Sequence, residues 1–252
     1  MSSPTPQPTK QAGTPAASKP APDADAPAAT VHDALAQATI APIESGMIVG
    51  LGTGRTAKRV IRALAERINA KALEVTLVST SESSARYAAE LGLAVGDFSG
   101  MERVHYLFDG ADEVDPDCAV LKGAGGAVTR ERMVAWASDR TVYMVDQSKL
   151  VDRLGQNHSL AVAIMFFGYT SIRARLREMG LSGVCRRDID GKPFITDNGN
   201  VIIDVTLDEE RDLEELARNL NDIPGVIDHG LFLHEADEIL VDRDGEIERI
   251  TR

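Results

Sequence analysis

Cysteine is almost absent from the 252-residue sequence, where Cys118 and Cys185 stand 67 positions apart. Two thiols at that spacing make neither a disulfide framework nor a metal-ligand motif, and a reducing cytoplasm suits them best. Aromatic residues are scarce at 4%, with Trp136 the single tryptophan. Basic residues are also in short supply: 27 Lys and Arg face 39 Asp and Glu, a formal net charge of -12. That balance argues against nucleic-acid or membrane partners, which need a basic surface. An anionic ligand would have to be met by a local cluster of donors. No apolar run reaches the ~18 residues of a membrane span, and no apolar stretch near the N-terminus reads as a secretory signal.

What is present is unevenly distributed. Residues 1–30 hold seven of the eleven prolines and eight alanines, without one aromatic or branched aliphatic side chain. Such a segment cannot bury enough apolar surface to offset the entropy of ordering, and it is expected to be a disordered tail. Its lack of arginine sets it apart from a transit peptide. Lys10 and Lys19 balance Asp23 and Asp25 there, so the whole net charge belongs to the rest.

From residue 31 short apolar runs alternate with amphipathic stretches. A helix is expected over 31–43, a strand at 47–51, and a helix over 56–68 with Ala57, Val60, Ile61, Leu64 and Ile68 on one face. Strands follow at 75–79, 93–95, 104–108 and 142–145. The helices between them end at Gly92 and run over 128–138, and Thr80 or Ser81 is placed to cap the first of these. This alternation implies an α/β fold, a Rossmann-like parallel sheet with helices on both faces. Over 158–230 the order becomes β-α-β-β-α-β, with its first strand at 160–167 and a hairpin at Asp190-Gly191, which implies a smaller ferredoxin-like α+β domain. Residues 231–252 read as two short strands around Asp244-Gly245 that rejoin the main sheet. The expected division is therefore 31–157 with 231–252, and 158–230.

Three strand-to-loop junctions carry chemistry. Gly50-Leu51-Gly52-Thr53-Gly54-Arg55-Thr56 lies between a strand and a helix, where backbone N–H groups and the helix dipole bind phosphate. A tight strand-to-helix turn that binds no ligand is the plainer alternative, but glycine-rich turns of this type often hold anions. A dinucleotide fingerprint fails, because Arg55 fills a glycine position and the second strand ends in Ser79-Thr80-Ser81 without an acid. An adenosylmethionine site would want the same acid. Asp109-Gly110-Ala111-Asp112-Glu113-Val114-Asp115 puts four acids at a strand end, suited to sugar hydroxyls, to proton transfer, or merely to solvent. Lys122-Gly123-Ala124-Gly125-Gly126 leads into a helix bearing Glu131. A lysine and a carboxylate in one crevice suit proton transfer beside a carbonyl. A carboxylate near a helix start is also favoured by the dipole alone.

Taken together and in order, these segments, with Val145-Asp146-Gln147-Ser148-Lys149-Leu150-Val151, resemble the type A ribose-5-phosphate isomerases. Thr196-Asp197-Asn198-Gly199-Asn200 and Ile223-Pro224-Gly225-Val226 are similar to that family's second domain. The resemblance spans about 31–252 and implies an aldose–ketose isomerase that uses no metal and no organic cofactor. It implies Glu131 as the base, Asp109 and Asp112 as acids holding the sugar hydroxyls and assisting ring opening, and Lys122 as the cation beside the reacting oxygens. It implies that Thr53, Gly54, Arg55, Thr56, Gly110, Ala111, Gly123, Ala124, Gly125 and Lys149 bind substrate, a sugar phosphate, and that the chain forms a homodimer or a dimer of dimers. Arg55 stands where serine is usual, Ala124 where glycine is usual, His32 about where a lysine is often found, and Ala163 where an acid is common. A sugar-phosphate-binding protein without catalysis on the same fold is the alternative.

Overall fold

The computed structural model describes residues 33–252; the expected tail at 1–30 and His32 lie outside the described residues. Asp33 accepts the Ala36 N–H and caps α1 (Ala34–Ile40), shorter than the helix expected there. β1 (Ile48–Leu51) turns into α2 (Arg55–Asn69), and β2 (Thr76–Ser79) into α3 (Glu82–Glu90), which Ser81 caps by accepting the Ser84 N–H. Then come β3 (Tyr106–Gly110), β4 (Glu113–Val114), β5 (Val120–Leu121), α4 (Val128–Trp136) and β6 (Thr141–Asp146). The next stretch holds β7 (Leu160–Ile164), α5 (Tyr169–Glu178), β8 (Gly183–Cys185), β9 (Val201–Val205), α6 (Leu213–Asn221) and β10 (Val226–His229). β11 (Leu231–Phe232), β12 (Glu238–Arg243) and β13 (Glu246–Thr251) close the chain.

The main sheet runs β13-β12-β6-β3-β1-β2, parallel throughout except for the edge strand β13. The chain moves outward from β1 to β2 and then crosses back to β3. The β1/β3 boundary is therefore the switch point, and the crevice beyond the carboxyl ends of these two strands is where an open α/β sheet binds ligands. Alternation along the strands sorts the two faces. Val49, Leu51, Phe108 and Met144 pack with Leu35 of α1, Val60, Ile61 and Leu64 of α2 and Ala88 of α3. Leu107, Tyr143, Val145 and Ile239 pack with Val128 and Val134 of α4. The apolar face read for α2 is the buried one, with Ile68 half-buried at its end. β12 and β13 rejoin this sheet as expected.

The second sheet has the order β10-β7-β9-β8 with every pair antiparallel. With α5 and α6 this is the β-α-β-β-α-β arrangement of a ferredoxin-like unit. Leu160, Val162, Ile164, Ile172, Leu176, Val201, Ile203, Leu216 and Leu220 form its core.

Two expectations fail. Residues 93–95 form no strand: only Val95 bridges to Leu77, because the segment lies beyond the sheet edge with no further partner. The strand expected at 160–167 stops at Ile164, since a 3-10 turn begins at Phe166. A third sheet, β11-β5-β4, has no counterpart among the sequence expectations. Its strands are two residues long, too short to show a period. It nevertheless decides where Lys122 goes.

Candidate active site

Asp109 lies within β3 rather than in a loop beyond it, and it is fully buried. Its Oδ1 accepts the backbone N–H of Thr53 at 2.8 Å and that of Gly110 at 2.7 Å. The first hydrogen bond ties the turn after β1 to the end of β3. Gly52 makes the approach possible: a Cβ there would lie 2.3 Å from Asp109 Oδ1 and 2.5 Å from its Cα. Gly52→Ala is therefore expected to cost about 1–3 kcal/mol by overpacking. Calorimetry should show it as a Tm several degrees lower, with activity reduced further because Asp109 is displaced.

Lys122 is carried in by the third sheet. β5 pairs with β11 up to Leu121, and the Lys122 N–H donates to Gly230 O at 2.9 Å. The side chain is only 4% exposed. Its Nζ donates to Gly110 O at 2.6 Å and pairs with Asp109 Oδ2 at 3.0 Å and Glu131 Oε1 at 3.3 Å. The ammonium also stands over the Tyr143 ring, 5.3 Å from its centre. Glu131, in the first turn of α4, is 5% exposed, and its Oε2 has no hydrogen-bond partner among the described residues.

This cluster has one cation for two buried acids, and its protonation follows. Burial pushes the Glu131 carboxyl up to about 8, with Lys122 opposing and Asp109 reinforcing the rise. Burial also raises Asp109, against the pull of Lys122 and the two N–H donors. Burial disfavours the Lys122 cation, but Asp109 and Glu131 outweigh it and hold the lysine protonated. Burial and then Asp109 keep the Tyr143 phenol well above its ordinary value. The two acids share the excess negative charge, so their titration belongs to the pair.

The other predicted residues differ in how closely they approach this cluster. Asp112 Oδ2 accepts the Ala124 N–H at 2.9 Å, joining the acidic segment to the Lys122 loop. Thr53 Oγ1 lies 2.8 Å from both Thr80 Oγ1 and Ser81 Oγ, while Gly54, in positive φ, precedes the first turn of α2. Gly125 borders the same crevice, since a Cβ there would lie 3.5 Å from Thr53 Cγ2. Gly110 is equally close: its Cβ position is 3.8 Å from Thr53 O and 3.9 Å from Thr56 Cβ. Arg55 is exposed and has no partner among the described residues. Ala111 sits half-buried between Gly110 and Asp112. Lys149 lies apart, in the short turn after β6, at the carboxyl end of the strand beside β3. Ala124 does not adopt positive φ, so its methyl is accommodated without strain. Ala163 is buried in the core between the sheets and α4.

Two of the four clustered acids serve the fold. Glu113 is buried and accepts the N–H groups of Gly155, Asn157 and His158. Asp115 accepts those of Asp117 and Ala119, closing a tight turn. Spacing alone could not separate them from Asp109 and Asp112. Arg186 escaped notice in the sequence: it reaches from beyond β8 to the carbonyls of Gly123 and Ala124 at 2.7 and 3.1 Å. Its only signal was a basic pair, Arg186-Arg187, ahead of the Asp190-Gly191 turn.

Among the described residues no group of three or more His, Cys, Asp or Glu side chains could hold a metal ion, and no helix is long and apolar enough to cross a membrane.

A family model for ribose 5-phosphate isomerase A (phosphoriboisomerase A) matches residues 76–246. The chain is 39% identical over 211 residues to a ribose-5-phosphate isomerase A of Listeria monocytogenes serotype 4b, covering 83% of this chain and 93% of that one. A D-ribose-5-phosphate isomerase solved in complex with phospho-erythronic acid superimposes with a TM-score of 0.83 at 30% identity, over 87% of this chain and 96% of that one. The ribose 5-phosphate isomerase A of Methanocaldococcus jannaschii gives 0.82 at 34% identity, over 86% and 96%. With the buried Asp109–Lys122–Glu131 cluster at the switch point of a matching fold, the chain belongs to the ribose 5-phosphate isomerase A family.

Proposed function

We propose that the protein interconverts D-ribose 5-phosphate and D-ribulose 5-phosphate, with Glu131 moving the proton between carbon 1 and carbon 2. The observation that carries this assignment is the unequal state of the two buried acids. Asp109 Oδ1 is committed to two backbone N–H donors, and its Oδ2, though without a hydrogen bond, is ion-paired with Lys122 at 3.0 Å. Glu131 keeps Oε2 unpartnered, and its raised pKa makes it a stronger base than an ordinary carboxylate.

Glu131 takes the proton from carbon 2 of the open aldose, and the electron pair passes into an enediolate across carbons 1 and 2. The same carboxyl then returns a proton to carbon 1. The hydroxyl proton of carbon 2 is lost as its oxygen becomes the ketone, while the oxygen on carbon 1 gains one. Lys122 stabilises the negative charge on these oxygens in a water-poor setting. Asp109 and Asp112 are assigned to the sugar hydroxyls and to ring opening. The phosphate is assigned to the first turn of α2, with Thr53, Gly54, Arg55 and Thr56, and to Lys149. The free N–H groups and dipole of that helix end favour an anion, and remote phosphate binding helps orient the reacting carbons. Exposed Met133 and Trp136 on α4 support self-association into a homo-oligomer, and the two free thiols support a reducing cytoplasm.

An isomerase assay on ribose 5-phosphate with a metal chelator present tests this reading, and undiminished turnover is expected. A chain that binds the sugar phosphate without converting it would support the non-catalytic alternative. The pH profile is a further expected outcome. Glu131 must be ionised to act as base, so kcat/KM should rise with pH and level off above an apparent pKa near 8, a value belonging to the coupled acids. An acid limb near pH 4.5 would point to an unperturbed carboxylate instead.

A further inference from the structure

We infer that Arg186 is a positioning residue, by which the ferredoxin-like unit holds the 123–126 loop in its working conformation. The inference rests on the isomerase reading for its kinetic consequence and on geometry alone for its structural one. Arg186 Nε donates to Asp204 Oδ2 on β9 at 2.9 Å, and Nη2 pairs with the other oxygen. The guanidinium is thus fixed in the second sheet, and its Nη1 holds the carbonyls of Gly123 and Ala124.

A trans peptide turns its C=O and N–H to opposite sides. With Gly123 O held by Arg186, the next N–H, that of Ala124, points away from Arg186 and meets Asp112 Oδ2 at 2.9 Å. That peptide is gripped from both sides. With Ala124 O also held, the N–H of Gly125 turns away in the same manner. It has no partner among the described residues, and Gly125 borders Thr53. The clamp therefore leaves one backbone donor free beside the crevice and keeps Asp112 in place. Phe194, between β8 and β9, covers the end of the loop. Gly126 has a φ of +79°, and a Cβ there would strike the Phe194 ring at 2.4 Å.

Two variants test the clamp: Arg186→Lys, and Arg186→Met combined with Asp204→Asn so that no carboxylate is stranded. A lysine is a single point of charge and cannot span Asp204 and both carbonyls. In both variants kcat for ribose 5-phosphate should fall by about 10- to 100-fold, the scale of lost orientation. Competitive inhibition by inorganic phosphate, read at the first turn of α2 whose own N–H groups and dipole Arg186 does not touch, should change by less than about twofold, a split that general destabilisation would not produce. Amide exchange at Ala124 and Gly126 should quicken at least about tenfold, since those N–H groups depend on the held loop. Unchanged kcat together with unchanged amide exchange overturns the clamp, as does a parallel loss of phosphate inhibition and kcat. Should the wild-type protein fail to isomerise ribose 5-phosphate, the functional reading falls, while the amide exchange still decides whether Arg186 holds the loop.

Discussion

Glu131→Gln should lower kcat by at least about 10³-fold, within the usual range for a lost general base, while substrate is still bound. The amide has nearly the carboxylate's shape but cannot accept a proton from carbon. Steady-state kinetics with an independent binding isotherm separates the two effects. A variant retaining most of its turnover would mean that another group moves the proton.

The same substitution should stabilise the fold at alkaline pH. The Glu131 carboxyl is raised from 4.5 to about 8 in the native protein, so between those values the native state holds more protons than the unfolded chain. Stability linked to this group is fully present below about 4.5 and is lost as pH rises through 8. The Glu131→Gln variant escapes that loss, and it leaves Lys122 paired with Asp109, one cation to one anion. A gain on the order of 2 kcal/mol is expected at about pH 8.5, disappearing near about pH 4.5. Greater stability with lost turnover marks a group retained for chemistry rather than for folding.

Lys122→Met should have the largest effect on stability. The ammonium compensates Asp109 at 3.0 Å and Glu131 at 3.3 Å and also satisfies Gly110 O. Removing it leaves two buried carboxylates facing one another, a loss of about 3–5 kcal/mol for a broken buried pair. At this chain length that lowers Tm by on the order of 10 °C at pH 8. The deficit should shrink toward pH 5, as the stranded acids take up protons. Turnover should fall by roughly 10²- to 10³-fold, because no cation stabilises the enediolate oxygens. Thermal melts at the two pH values check the first part; equal Tm values for variant and wild type at pH 8 would show that Lys122 is not the counter-ion.

Most of the architecture could be read from residue patterns because it rests on local regularities. The apolar face of α2, the Ser81 cap and the strand–helix order of 158–230 are each written in short runs of consecutive residues. The glycine turn and the Lys122 loop were readable for the same reason. What escaped notice depends on distant partners. The third sheet joins residues 113–114, 120–121 and 231–232, and no two-residue strand announces itself. Without it Lys122 has no reason to be buried, so its proximity to Asp109 and Glu131 could be inferred only from the family resemblance. Glu113 and Asp112 are neighbours in sequence yet serve different ends, because β4 turns one toward the 155–158 loop and leaves the other beside Ala124. Arg186 acts across 62 positions of chain on Ala124, a separation at which neither spacing nor composition carries information.

Isomerisation turns on one bond, that between carbon 2 and its hydrogen. Ribose 5-phosphate deuterated at carbon 2 allows the cleavage of that bond to be followed directly by NMR, as label moves to carbon 1 or washes into water. With wild-type protein the cleavage rate should rise with pH through about 8, and with Glu131→Gln at saturating substrate it should drop by at least about 10³-fold. Cleavage by that variant at a rate comparable to wild type would contradict the account.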